Sequence, residues 1–176
     1  AAHHLEQSAA TARRADLTQV LAQSLANLGQ VQALAGRTAA ALQALDEAEQ
    51  LCETYGFRNL LCETRWKRAD ALVEHGDLEA ALGAAESAVT LAQALNSRDL
   101  RSEAERALAR IERRLGRLDA ALEHSGSAWQ DRATDSDPVQ RARFAAERAL
   151  ALLAAGQKEE AQPLLVAFVA GVELYE

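Results

Sequence analysis

Four histidines and two cysteines are the residues of this chain best suited to chemistry by type: His3, His4, His75, His124, Cys52 and Cys62. A nucleophilic site needs Ser, Thr or Cys beside a base that a third group orients. None of the histidines stands in such an arrangement. His75 immediately precedes a glycine and His124 lies in a helical stretch, so both read as ordinary surface or helix-terminal positions. Cys52 and Cys62 flank Gly56. Their spacing does not suit a zinc site, and no other ligands cluster with them. Two readings are left for them: small buried residues, or a disulfide across the turn, which a reducing cytosol disfavours. Every glycine is isolated, so no phosphate-cradling loop is present. No catalytic residue, no metal and no cofactor is expected.

The arginines are more informative. Arg106, Arg110 and Arg113 are four and three residues apart, which places them on one stripe if the segment is helical. A guanidinium stripe suits a carboxylate or a phosphate, which it grips through paired N–H bonds. The alternative is that these arginines pair with Glu103, Glu105 and neighbouring acids.

The elements that position these residues follow from a ladder of glycines. Gly36, Gly76, Gly116 and Gly156 are forty residues apart, and each opens a similar segment: GRTAAALQAL, GDLEAALGAA, GRLDAALEHS and GQKEEAQPLL. A second ladder, Gly56, Asn96 and Ser136, runs in step at the same spacing. Two turn signals per unit, with apolar-periodic stretches between, describe a helix–turn–helix repeat. Alanine makes up nearly a quarter of the chain, which favours closely packed helices, and no strand pattern occurs.

The expected helix pairs are 17–35 with 37–55, 58–75 with 77–95, 98–115 with 117–131, and 138–155 with 157–175. Asp137 before Pro138 reads as an N-cap with proline at the first helical position. The first residues share the register: Ala1 aligns with Ala41, Leu5 with Leu45 and Asp16 with Gly56. The chain thus reads as one repeat domain over 1–176, with a half repeat 1–16 and full repeats 17–56, 57–96, 97–136 and 137–176. That makes nine helices, in a segment expected to come from a larger protein. Pro163 predicts a kink or a late start of the last helix.

The net charge of −7 argues against a general nucleic-acid binder. No apolar run is long enough to span a membrane, and no signal-peptide pattern opens the chain. A cytoplasmic location is expected. Seventeen arginines against only Lys67 and Lys158, with abundant alanine, suggest a bacterial origin.

With this register the chain resembles the tetratricopeptide repeat (TPR) family. The residues that carry the resemblance are Leu25, Leu28, Gly29, Gly36, Ala41, Leu45 and Ala48 in the first repeat. They are Ala69, Leu72, Gly76, Ala81 and Ala88 in the second, and Leu108, Ala109, Gly116, Ala121 and Ala128 in the third. The fourth has Ala149, Leu152, Gly156 and Ala161, with Phe168 replacing the last alanine. The forty-residue unit is longer than the family's usual one and resembles the variant found in scaffold and bacterial signalling proteins. The resemblance implies an all-α solenoid, a right-handed superhelix with the first helix of each pair lining a concave groove.

On that implied groove the inward positions are Glu63, Trp66, Lys67, Asp70 and Val73 in the second repeat and Arg106, Arg110 and Arg113 in the third. In the fourth they are Arg143, Ala146, Leu150 and Leu153. The partner implied is a protein or peptide with an acidic group, its apolar side chain near Trp66. The family's carboxylate clamp uses Lys and Asn where this chain has Ala26, Gln30, Trp66 and Asp70, so chaperone binding is not carried over. The last helix is a second surface: Leu164, Leu165, Val166, Phe168, Val169, Val172, Leu174 and Tyr175 spread apolar groups over more than one face. It is expected to meet a following helix, another domain or a second copy. The function expected is a non-enzymatic interaction scaffold within a larger regulatory or signalling protein. The alternative is a ligand- or peptide-sensing domain that controls an attached output domain.

Overall fold

The computed structural model describes residues 2–173, with side chains described as far as Gly171. Among the described residues there are nine helices and no strand. They are α1 (Ala2–Arg14), α2 (Thr18–Leu34), α3 (Thr38–Tyr55), α4 (Arg58–His75), α5 (Leu78–Ala94), α6 (Arg98–Arg114), α7 (Leu118–Arg132), α8 (Pro138–Ala154) and α9 (Lys158–Glu173). The fold is all-α and repetitive, as the glycine ladder predicts. Leu174 and Tyr175, assigned to the last helix from sequence, lie outside the described residues. α9 runs through Pro163 instead of starting after it. Pro163 and Glu159, whose carbonyl loses its donor, are both exposed, so water can serve that carbonyl.

The breaks between helices share one backbone device. Asp16, Gly36, Gly56, Gly76, Asn96, Gly116 and Gly156 all take positive φ, between 50° and 91°. After each, the next N–H reaches back five residues to a helix carbonyl. Examples are Arg37 N to Gln32 O at 2.9 Å, Phe57 N to Cys52 O at 2.9 Å and Ser97 N to Ala92 O at 3.2 Å. This is the Schellman closure, which satisfies carbonyls that a helix end leaves without donors. Asn and Asp tolerate the left-handed state better than other side chains, which is why the two non-glycine members are these. Ser136 is not among the positive-φ residues. There α7 stops at Arg132, and residues 133–137 connect to α8. Asp137 caps α8 as expected, its Oδ1 accepting from Val139 N at 2.9 Å and Gln140 N at 3.3 Å, with Pro138 in the first turn.

The chain forms two compact units, Ala1–Leu100 and Arg101–Glu176. In the first, each helix from α1 to α5 packs on the next, and α2 also packs on α4. The core is built from Leu21, Ala22, Leu25, Ala44, Ala48, Cys52, Leu60 and Leu61. Small residues recur where helices cross: Ala41, Ala48, Ala69, Ala81 and Ala88 are fully buried. At Gly29 an added Cβ would lie 2.5 Å from Leu45 Cγ and 3.0 Å from Ala41 O, so α2 and α3 touch there.

Both cysteines belong to this small-residue set. Cys62 stands forty residues after Ala22, and Cys52 forty after Ala12, and all four are buried. Both are free thiols, and burial pushes each up to about 11. Such thiols are poor nucleophiles and poor metal ligands.

In the second unit α7 packs on α8 and α8 on α9. α6 is tied to α7 by polar contacts: Arg101 to Asp131 at 2.7 Å, Arg132 Nε to Ser102 Oγ at 2.8 Å, and His124 Nδ1 to Glu112 Oε2 at 2.8 Å. Phe144, Ala149, Leu152 and Ala161 are buried in its core. A Cβ at Gly171 would come 2.5 Å from Ala142 Cβ and 2.8 Å from Pro138 O, so α8 and α9 meet closely there.

Candidate partner-binding surface

The first helices of the repeats are α2, α4, α6 and α8. In the first unit, α2 and α4 meet through a polar row. Lys67 Nζ donates to Asn27 Oδ1 at 2.8 Å, and Gln23 Nε2 donates to the same oxygen at 3.4 Å. Lys67 Nζ also lies 3.6 Å from Glu63 Oε2 and 5.4 Å from the centre of the Trp66 ring. Asn27 and Lys67 are forty residues apart, so equivalent places on neighbouring first helices touch. Trp66 and Lys67 are both buried, Val73 is buried, and Asp70 is half-buried.

In the second unit, α6 and α8 repeat the pattern with the charges changed. Glu103 accepts from Arg106 Nε at 3.1 Å and from both terminal nitrogens of Arg143 at 3.3 and 3.4 Å. Arg143 also donates to Gln140 Oε1 at 2.9 Å. Arg113 Nε donates to Glu147 Oε1 at 3.1 Å. Arg106 is buried, whereas Arg110, Arg113 and Arg143 are half-buried. Leu150 and Leu153, one repeat beyond Arg110 and Arg113, are exposed.

The arginine stripe read from sequence is therefore real as a helical stripe, and part of it is held in ion pairs. Glu103 is one partner of Arg106. Glu105 instead approaches Arg101, at 4.0 Å. Sequence reasoning did not single out Asn27, Gln140 or Glu147 as members of these rows. The forty-residue ladder held the signal for the pairs Asn27–Lys67 and Glu103–Arg143.

The opposite side of the first unit carries a closed ion network. Arg65 donates to Glu49, Ser87 and Glu53, each at 2.8 Å, and Arg68 Nε lies 2.9 Å from Asp46 Oδ1. Glu49, Arg65, Arg68 and Ser87 line a shallow cavity of about 240 Å³, and both arginines already have acidic partners. Among the described residues no group of three or more His, Cys, Asp or Glu could hold a metal ion. No helix of the described residues is long and apolar enough to cross a membrane.

No protein-family model matches the chain, and no curated protein matches it by sequence. Solved structures do. BtubC (BKLC) from P. vanneervenii superimposes with a TM-score of 0.71 at 15% identity, over 90% of this chain and 65% of that one. The TPR-like repeats of a proposed kinesin light chain from Podosopora anserina superimpose with a TM-score of 0.66 at 20% identity, over 99% of this chain and 87% of that one. A second crystal structure, of a substituted form of those repeats, gives 0.68 at 20% identity, over 96% and 84%. The fold is TPR-like. At such identities the likeness speaks of architecture, and the chain spans 65% of the BtubC chain. Within the TPR-like pattern, the buried alanines at 41, 81, 121 and 161 occupy one repeating place on the second helices.

Proposed function

We propose that this TPR-like chain is a protein-interaction module that binds a peptide or helix carrying an acidic group along its first-helix faces. TPR-like repeats generally serve as interaction scaffolds, and the repeat fold is the observation that carries the reading. It is supported by the side chains those faces present. α6 carries Arg106, Arg110 and Arg113 and α8 carries Arg143 in the second unit, and α4 carries Lys67 and Asp70, beside buried Trp66, in the first. Guanidinium groups already oriented by Glu103 and Glu147 are pre-organised for a further carboxylate, since less side-chain freedom is lost on binding. The same proposal takes 1–176 as one repeat domain of a larger bacterial regulatory or signalling protein in the cytoplasm. It assigns no catalysis and no cofactor.

The test is selection of a random-sequence peptide display library on the whole chain. Enriched peptides should carry Asp, Glu or a free C-terminal carboxylate. Their affinity should fall at least tenfold in Arg110→Glu, a change of about 1.4 kcal/mol, while Arg110→Lys retains most of it. Circular dichroism checks that the helices are kept. Peptides without acidic groups, or binding indifferent to Arg110→Glu, would refute this surface.

A further inference from the structure

The first unit has two grooves of one kind, each between successive second helices and floored by the first helix that joins them. In the groove between α3 and α5, arginines of α4 fill the floor. Arg65 donates to Glu49 and Glu53 of α3 and to Ser87 of α5, each at 2.8 Å. Arg68 Nε lies 2.9 Å from Asp46 Oδ1. In the groove between α1 and α3, leucines replace both arginines: Leu25 stands forty residues before Arg65, and Leu28 forty before Arg68. Acids nevertheless remain at the rim, with Glu6 in the place of Asp46 and Glu47 in the place of Ser87. A hollow of about 270 Å³ results, floored by Leu25 and Leu28, walled by Ala9 and Ala44 and rimmed by Glu6 and Glu47. The α3–α5 groove has helices before and after it in the chain, and its mouth is open at the same place. The opening is therefore a property of the repeat and not of the first helix.

Two further observations say what the hollow takes. Gln32 lines it and is only 9% exposed, and its side-chain oxygen has no hydrogen-bond donor. The next repeat has Leu72 at that place, so the packing does not require an amide there. A buried amide oxygen without a donor costs free energy. A turn about the last side-chain torsion, which is soft, brings that oxygen to the hollow. The second observation is charge. The ionisable groups of the lining are Glu6, Arg13 and Glu47, two acids against one base. Arg13 pairs with Glu47 in an exposed contact that contributes little. A carboxylate has lone pairs for a second cation beside it. The hollow thus suits an apolar stem with a head that donates in several directions. A guanidinium has five N–H donors in a fixed fork, whereas an ammonium radiates three from one point. Arg65 uses that fork in the next repeat, serving three acceptors on two helices at once.

We propose that the α1–α3 groove binds a guanidinium group on an aliphatic stem, in the space that Arg65 and Arg68 fill one repeat later. The stem lies on Leu25 and Leu28, and the head donates to Glu6, Glu47 and the Gln32 oxygen. The inference is independent of the acidic-partner reading, which concerns other side chains of the first helices.

Nuclear magnetic resonance titration of the isotope-labelled full chain, followed at the Gln32 side-chain amide, tests it. Nα-acetyl-arginine methylamide represents an arginine of a polypeptide, and butylguanidinium represents a small free cation. Nα-acetyl-citrulline methylamide is the uncharged control. The guanidinium probes should shift the Gln32 amide saturably, and the citrulline probe should bind at least tenfold more weakly. Glu6→Gln, at an exposed position where the fold is not at stake, should weaken binding at least threefold. Leu28→Arg should supply the guanidinium from within, against Glu6 as Arg68 stands against Asp46, and abolish binding of the added probes. Tighter binding of the capped arginine than of butylguanidinium assigns the site to a polypeptide arginine; equal binding assigns it to a small cation. Equal binding of the citrulline probe, no saturable shift, or unchanged affinity in Glu6→Gln or Leu28→Arg overturns the proposal.

Discussion

The connection between α3 and α4 and the connection between α7 and α8 occupy the same place in the repeat and are built differently. At the first, Cys52 and Thr64 are small and fully buried, and Gly56 closes the turn in the left-handed state. At the second, the equivalent residues are Arg132 and Phe144, both large. The Arg132 guanidinium lies 5.5 Å from the centre of the Phe144 ring and donates to Ser102 and to Asp135 at 3.1 Å. The left-handed turn is replaced by residues 133–137, in which Asp135 accepts from Asp137 N at 3.0 Å. That backbone N–H, with Arg132, holds the Asp135 carboxyl below the usual carboxylate range. A repeat of fixed length thus tolerates a large pair where it elsewhere has a small one, provided both partners and the turn change together.

Removing one member of the large pair should expose this dependence most sharply. Phe144→Ala leaves a cavity that Thr64→Ala does not, and strips the cation–π contact from Arg132. The expected loss is about 3–5 kcal/mol for Phe144→Ala and about 1 kcal/mol for Thr64→Ala, which removes mainly a hydrogen bond to Leu60 O. Urea denaturation followed by circular dichroism measures both. Similar losses at the two sites would mean the large pair is not a compensated unit.

The same contrast marks how far the sequence could be read. The glycine ladder placed the helix breaks, because a left-handed C-cap has few residue types that fit it. Asp16 and Asn96 were legible through their register with Gly56. Ser136 was in register too, yet its turn differs: serine suits the left-handed state less well than Gly, Asn or Asp, and the large pair Arg132 and Phe144 stands where the first unit has Cys52 and Thr64. The arginine stripe was legible from its spacing. The pairing of Arg113 with Glu147 was not, since the two lie on different helices, out of register with the ladder, and meet only through packing. The burial of Trp66 was likewise hidden, because α4 alternates charged and apolar groups with no clean stripe to assign its inner side.

A second exchange of bulk gives a smaller effect. Gly29 is the one glycine at a place where the later repeats have Ala69, Ala109 and Ala149, and it faces Leu45 where a later repeat has Ala85. Gly29→Ala gains about 1 kcal/mol of helix propensity but meets Leu45 and the Ala41 carbonyl, an overpacking that costs about 1–3 kcal/mol. A net destabilisation of about 1 kcal/mol is expected. In a Leu45→Ala background the same change should become stabilising, by about 1 kcal/mol. Gly83→Ala, where a Cβ meets nothing within 4 Å, should stabilise by about 1 kcal/mol in either background. A double-mutant cycle with no coupling between positions 29 and 45 would dismiss this pair as a size exchange.

The smallest effect concerns a polar pair that replaces an apolar one. The second unit sets His124 against Glu112, where the first unit has Ala84 and Leu72 at the equivalent places. The hydrogen bond to Glu112 raises the His124 pKa above its ordinary value; burial opposes this, and the charges of Glu112, Glu105 and Glu123 add to it. All three acids favour the imidazolium. A histidine whose folded pKa is raised contributes stability that is fully present below the unfolded pKa of about 6.5. That contribution is lost as pH rises through the higher folded value. The chain should therefore gain more stability between pH 8.5 and pH 5.5 than the double variant Glu112→Leu, His124→Ala, in which the apolar pair of the first unit is restored. His124→Ala alone should be less stable than the double variant at both pH values, because it takes the imidazole away from buried Glu112. Urea midpoints of the three proteins at the two pH values decide it. A parallel shift for the chain and the double variant would place the pH response in other groups and reduce the His124–Glu112 contact to a neutral hydrogen bond.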